Sequence, residues 1–313
     1  MSRYVVHRLL FAIPVLLGAT FIAFCLVVIA PGDPARLMAG RDSSPEDVER
    51  IRRQMGLDKP FYVQYVRFLS RLGQGDLGRS MRLPTSVGEE IRVRFVATLE
   101  LAAAAMLVAT TIGVGLGVIS AVRRYSWIDD CVMIVAVAGI SIPSFWLGLL
   151  LILFFSLYLG WLPPSGRAGG LATFDGLRSL ALPVMTLAVA PVAYVTRLTR
   201  SAMLEILGQD YMRTARAKGS PERTVLLKHG LRNAALPVLT FVGMEFGYLL
   251  GGIVVVETVF SWPGLGRATA MAVFARDYPL VQGAVLTLAT IFILINLTVD
   301  VLYATLDPRI RYE

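Results

Sequence analysis

The chain has 313 residues, of which 56% are hydrophobic and 17% charged, with a formal charge of +8 and a mean hydropathy of +0.65. A soluble globular protein carries nearer a quarter charged residues, and here the apolar residues cluster in runs of about 20, enough to cross roughly 30 Å of hydrocarbon. That excludes an ordinary soluble fold. The Lys and Arg mostly flank the apolar runs, a mark of membrane topology rather than of nucleic-acid binding.

Six transmembrane helices are predicted, at about 9–30, 97–122, 131–159, 180–203, 235–258 and 281–304. The first follows Arg3, His7 and Arg8; its apolar stretch of about 22 residues is too long for a signal-peptide core and no A-x-A-like site closes it, so it reads as uncleaved. Cys25 and Cys131 stand alone in apolar runs and read as small buried hydrophobes. Each span contains Gly or Pro (Pro14, Gly113, Pro143, Pro183, Pro191, Pro237, Gly243, Gly283), as membrane helices tolerate.

The long 31–96 loop reads as structured. Ser44 before Pro45 and an acidic pair is an N-cap with Pro at N1, and Gly56 stops that helix. Phe61, Tyr62, Tyr65, Phe68, Leu69 and Leu72 then recur at helical spacing up to Gly73. Ser86 and Glu89 form a capping box leading into the second span. These apolar stripes can lie on the membrane surface or pack on the transmembrane core, and packing is preferred.

With the N-terminus inside, 14 Lys and Arg fall on the cytoplasmic side against four (Arg167, Arg178, Arg267, Arg276) in the short outer loops. Both termini are thus expected in the cytosol, as is the stretch from Tyr211 to Pro237. In it, small residues Ala215, Ala217 and Gly219 stand among Arg213, Arg216 and Lys218; Gly219 permits a chain reversal and Pro221 starts the next helix. A plain connector needs fewer than about ten residues; this loop is longer and reads as a docking element for a soluble partner rather than as a merely basic loop.

Within the spans, Gly243, Gly247 and Gly251 form a doubled GxxxG face, either a sliding contact between subunits or along a pore, or packing within one subunit; Gly113 and Gly117 repeat the pattern. Glu245, near the middle of the fifth span, is the candidate pathway residue, whereas Glu257 and Asp300, nearer helix ends, read as solvated. Ser261, Trp262, Pro263 and Gly264 form a tight outer turn, facing either a docked protein or the membrane interface. There is no G-x-x-x-x-G-K-[ST], H-E-x-x-H or G-x-S-x-G, so neither ATP binding by a P-loop nor intrinsic enzymatic chemistry is supported, and no cofactor or metal is expected in this chain. A secondary transporter would show inverted repeats with broken helices at matching positions, which the sequence lacks.

The stretch Arg213-Thr-Ala-Arg-Ala-Lys-Gly219 resembles the E-A-A-x-x-x-G coupling segment of ABC importer permeases, with Arg in place of the first Glu, a departure that fits the peptide/nickel branch. Pro31-Gly-Asp-Pro34, Gly56-Leu-Asp-Lys-Pro60, Gly75-Asp-Leu-Gly78, Ala97-Thr-Leu-Glu100, Ser141-Ile-Pro143, Gly160-Trp-Leu-Pro163, Phe260-Ser-Trp-Pro-Gly-Leu-Gly266, Arg276-Asp-Tyr-Pro279 and Asp307-Pro-Arg-Ile-Arg311 agree with that branch. The resemblance implies a type I importer permease fold. A first helix and extracytoplasmic helical loop (1–96) precede a five-helix core (97–304), which carries a coupling loop at about 204–234, and a cytosolic tail follows (305–313). It implies a second homologous permease, two cytosolic ATPases holding ATP and Mg, and an extracytoplasmic binding protein. The wording is most similar to dipeptide and glutathione permeases, with nickel or another small solute as the alternative. Tyr211, Arg213, Thr214, Ala215, Arg216, Ala217, Lys218, Gly219, Pro221 and Glu222 would meet the ATPase.

Overall fold

A computed structural model describes residues 2–29, 33–39, 43–170 and 173–306. Pro31 and Gly32 of the first motif, and residues 307–313 of the expected tail, lie outside the described residues. Within them the regular structure is helical: α1 (Ser2–Ile29), α2 (Pro34–Ala39), α3 (Pro45–Met55), α4 (Phe61–Gly73), α5 (Val87–Val122), α6 (Trp127–Ser141), α7 (Ser144–Leu151), α8 (Phe174–Leu207), α9 (Asp210–Ala217), α10 (Glu222–Thr224), α11 (Arg232–Gly252), α12 (Val254–Val259), α13 (Leu265–Ala275) and α14 (Tyr278–Leu306). π-helical turns continue α7 (Ile152–Tyr158) and join α10 to α11 (Val225–Leu231).

Four helices are long and apolar enough to cross a membrane, or five when the bent pair α6 and α7 is taken as one span. The predicted third span is thus not straight: its halves meet at 102°. Pro143 explains the break. Its ring pushes Ile142 out of the helical region, to φ −84° and ψ 122°, and Pro143 opens α7 as its N-cap. The predicted fifth span is likewise interrupted, at Ile253 between α11 and α12.

The contacts divide into two compact units. One comprises Ser2–Ala97 with Gly264–Ile293. In it, Ser44 caps α3, accepting from the Asp47 amide at 3.2 Å and donating to the Asp47 carboxylate at 2.7 Å, which holds that carboxyl below its usual range. Gly56 ends the helix in the left-handed region, as read from sequence. The apolar stripe of α4 packs on α1: Phe61, Tyr65 and Phe68 meet Phe24 with ring centroids 5.1–5.8 Å apart, and the Thr20 and Tyr65 hydroxyls bond at 2.9 Å. Phe61, Tyr65 and Phe68 thus pack on α1, while Tyr62 of the same stripe stays 69% exposed. The unit's core joins Val87 and Ile91 of α5 with Leu265 and Ala272 of α13 and Leu280 and Ala284 of α14. A Cβ at Gly283 would lie 2.5 Å from the Val87 side chain, so glycine there sets the approach of the two helices. Helix α13 was not foreseen. It ends on Arg276 in the left-handed region (φ 57°), which turns buried Asp277 inward to accept from the Ser80 hydroxyl and the Met81 amide.

The other unit comprises Thr98–Pro263 and the chain from Leu294 onward. Its centre is α8, which is largely buried among its neighbours and carries two internal prolines; Thr186 and Thr196 donate back to the carbonyls of Leu182 and Val192. Helix α5 lies hard against it. A Cβ at Gly113 would sit 2.7 Å from Val195, and one at Gly117 would sit 2.6 Å from Thr199 and 2.7 Å from the Thr196 carbonyl. This second GxxxG pair therefore serves packing within the chain. Two sequence readings are corrected. Cys131 is exposed on the outer face of α6 rather than buried, an apolar position that lipid can cover. Glu257 is fully buried rather than solvated, and the Thr98 hydroxyl donates to it at 2.5 Å; its place near a helix end hid the fact that α12 turns that face inward.

Candidate functional site

The stretch singled out by its charge forms a helix–turn–helix on a small apolar base. Ala121, Met203 and Ala234 are buried together, flanked by Leu204, Leu207, Leu226 and Leu231. Gly230 lets the π-helical turn close on this base, since a Cβ there would already touch the Met203 terminus at 3.2 Å. Helix α9 packs on that turn, with Met212 and Val225 both fully buried. Asn233 ties the start of α9 down, donating to the Tyr211 hydroxyl at 3.0 Å and to the His229 carbonyl at 2.9 Å.

The reversal follows from sequence. Lys218 closes α9 by donating to the Thr214 carbonyl, and Gly219, at φ +78°, takes the left-handed turn and donates to the Arg216 carbonyl at 2.9 Å. Pro221 then opens α10. Across the turn Arg216 grips Glu222 with both arms of its fork, at 2.9 and 3.1 Å. Arg216, read as part of a basic face for a partner, is thus engaged inside the segment. Arg213 reaches Asp210 only at 3.7 Å with both side chains mostly exposed. What faces outward is Tyr211, Arg213, Thr214, Arg216, Ala217, Lys218, Gly219, Pro221 and Glu222, with Ala215 half-buried; the Arg216–Glu222 pair itself lies on the exposed surface. No Cβ added at Gly219 would meet anything, so the space before it is open.

The other candidates, Gly264 apart, are scattered over the same unit. Gly243 packs inside the chain, where a Cβ would lie 2.2 Å from Val299 of α14; Gly247 is buried, and Gly251 is exposed with open space before it. Of the doubled glycine face only the last position is free for another surface. Glu245 is half-buried on α11 and has no hydrogen-bond or ion-pair partner among the described residues. The Trp262 ring is 1% exposed, and its amide donates to the Glu257 carbonyl at 2.8 Å. The turn's aromatic group is therefore core, not a surface probe; Ser261 and Pro263 are half-buried and Gly264 is buried.

Two pairs escaped the sequence reading. Asp129, almost fully buried at the start of α6, accepts from Arg200 of α8 through Nε and Nη2, both at 2.7 Å, and also from the Ser120 hydroxyl of α5 and the Tyr125 amide. In sequence Arg200 is only one of the 14 cytoplasmic charges that set topology. Glu100 holds Arg167 in the same bidentate manner at 2.9 and 3.0 Å. The Asp129 node joins the ends of α5, α6 and α8 one turn of helix from the base of α9, so it braces the exposed segment. Groups that could hold a metal ion are absent among the described residues.

Residues 113–312 match the family described as binding-protein-dependent transport system inner membrane component, and residues 1–102 match its N-terminal counterpart. The chain is 48% identical over 313 residues, all of both chains, to the glutathione transport system permease protein GsiC of Escherichia coli K12, and equally to that of Salmonella paratyphi A. Among solved structures, an inward-facing MetNI methionine ABC transporter chain matches with a TM-score of 0.56 at 19% identity, over 69% of this chain and 96% of that one. At that identity the likeness is one of fold. The chain belongs to the binding-protein-dependent inner membrane component family and is a multi-pass permease subunit of an ATP-binding-cassette importer.

Proposed function

We propose that this subunit passes short peptides, glutathione among them, across the inner membrane by alternating access, driven by ATPase partners that dock on residues 211–222. The exposed, internally braced turn from α9 to α10 carries this reading. Its Arg216–Glu222 grip and buried Met212 fix its shape, so force applied to it passes to α8 and α11 rather than being lost in a loose loop. ATP and Mg sit on two such partners, and this chain adds no catalytic group. A homologous permease completes the pathway, and an extracytoplasmic binding protein delivers substrate. The 48% identity over the full length to a glutathione permease supports that substrate class.

In this reading α1 is the sixth span, both termini are cytosolic, residues 1–96 hold the first helix and extracytoplasmic loop, and 97–304 form the permease core. Glu245 lines the pathway, Gly251 meets the second permease, and the backbone of the 261–264 turn faces the binding protein while Trp262 supports it from within. The test is ATP-dependent uptake by the reconstituted complex, comparing a dipeptide, glutathione and nickel. Uptake of a peptide is expected; uptake of nickel alone would reassign the substrate, and transport unaffected by Ala215→Glu would remove the docking role.

A further inference from the structure

The unit built from Ser2–Ala97 and Gly264–Ile293 contains a cavity of about 910 Å³ that no step of the transport reading uses. Its position follows from helix periodicity. Gln64, Arg67 and Arg71 fall at i, i+3 and i+7 on one face of α4 and line the cavity, while Phe68 beside them also contacts Phe24 of α1. Arg52 of α3 and Arg79, from the loop before α5, enter from other elements. Leu77 and Tyr278 add apolar wall.

The charges do not balance. Arg52 is satisfied by Asp33 at 2.6 Å, and the Asp76 carboxylate is occupied by the Gly78 amide at 2.8 Å. The side chains of Arg67, Arg71 and Arg79, all exposed residues, have no ion-pair or hydrogen-bond partner among the described residues. Asp58 lies near enough to feel Arg67 but is itself paired with Lys59 at 3.2 Å. The site is also shaped around one guanidinium: a Cβ at Gly56 would lie 2.6 Å from Arg67 Nη1, so the glycine that ends α3 also clears the space Arg67 occupies. Guanidinium forks match the two-oxygen edge of carboxylate and phosphate, and a concave wall concentrates their field. A cavity of this size, part apolar and part convergent polar, is of the kind that takes a small molecule.

We propose that this cavity binds an anion of the carboxylate or phosphate class attached to a partly apolar body, held by Arg67, Arg71 and Arg79. Two sources carry that chemistry, a free small carboxylate and the phosphodiester of a lipid headgroup. The inference does not depend on which substrate is transported.

The full chain, purified in detergent and stripped of lipid, is titrated with glutathione by calorimetry and, separately, with phosphatidylglycerol by native mass spectrometry. At least one probe is expected to saturate, with affinity falling about tenfold or more in Arg67→Gln/Arg71→Gln and in the single variant Arg79→Gln. Arg53→Gln is the control; Arg53 lies on α3 with 72% of its side chain exposed, away from the cavity lining, and its removal should change nothing. Raised salt should weaken the binding as well. Glutathione alone binding assigns a soluble carboxylate, and phosphatidylglycerol alone assigns a headgroup. Neither probe binding, or Arg53→Gln weakening binding as much as the cavity variants, overturns the proposal. Because Arg79→Gln leaves α4 untouched, a folding defect in the double variant does not remove the test.

Discussion

Removing the Asp129 carboxylate tests how the exposed turn is braced. In Asp129→Ala, Arg200 loses both of its bonds at 2.7 Å, and the Ser120 hydroxyl and Tyr125 amide lose their acceptor. Deleting one partner of a buried ion pair costs about 3–5 kcal/mol, because the remaining charge stays desolvated. Arg200 keeps 23% of its side chain exposed, so water recovers part of that, while the stranded Ser120, fully buried, adds about 1 kcal/mol. The expected loss is about 3 kcal/mol, measured by reversible unfolding of the purified subunit in mixed detergent micelles. Arg200→Met should cost at least as much as Asp129→Ala, since the carboxylate it strands is only 4% exposed, although the Ser120 hydroxyl and Tyr125 amide still donate to it. Combining the two should recover about 1–2 kcal/mol as a coupling term. In the assembled transporter the same variant should lose transport more than ATP hydrolysis, since the base under α9 is loosened rather than its surface altered. Full stability of Asp129→Ala, or strict additivity of the pair, would refute the bracing argument.

Gly219 separates backbone from surface: its φ of +78° suits Gly and Asn but strains a β-branched residue, although the space before it is open, so Gly219→Asn should keep coupled uptake in proteoliposomes while Gly219→Val loses it. Gly243→Ala should destabilise the subunit by about 1–3 kcal/mol, read from detergent unfolding, because its Cβ meets Val299 at 2.2 Å; Gly251→Ala should leave the isolated subunit unchanged and alter only assembly with a second permease, read by co-purification. Trp262→Ala should cost about 3–5 kcal/mol in the same unfolding assay without a selective loss of binding-protein affinity, the reverse of what a surface probe would give. Glu245→Gln should slow peptide uptake with ATPase coupling intact; unchanged uptake would take Glu245 out of the pathway.

Local signals in this chain carried well and distant pairings did not. Ser44 and Gly56 bound α3 because a cap and a left-handed stop are decided within a few residues. The apolar runs marked the long helices because hydrocarbon thickness acts on each alone. Pro143 was visible, but whether a proline kinks a span or breaks it by 102° depends on what packs around it. Asp129 and Arg200 are 71 positions apart, and in sequence Arg200 is indistinguishable from the other positive charges that set topology. Glu257 misled for a related reason: nearness to a helix end was taken as nearness to water, while the neighbouring helix that buries it lies 159 positions away. In the segment at 211–222 the sequence carried the turn, through Gly219 and Pro221, but not the internal use of Arg216, since Glu222 could equally have pointed outward.

The distribution of paired and unpaired acids bears directly on transport. Asp129 and Glu222 lie near helix ends or turns and Glu100 lies within α5, and each holds an arginine fork with both oxygens. Glu245, well inside α11, holds none among the described residues. A carboxylate left alone in hydrocarbon costs about 2.5–3.5 kcal/mol even on the lenient scale of membrane insertion. A fold that supplies bidentate partners to three other acids could have supplied one here, or replaced the residue. The cost is offset if the carboxyl takes up a proton, or if something beyond the described residues meets Glu245: water in a pathway, a cation on the second permease, or the amino group of a passing peptide. A partner's cation differs from the other two in what Glu245→Gln does. Loss of a partner's cation lowers the stability of the assembled pair, whereas a pathway role leaves assembly intact and changes uptake alone. Measuring both in one variant therefore decides whether this acid belongs to the interface or to the route.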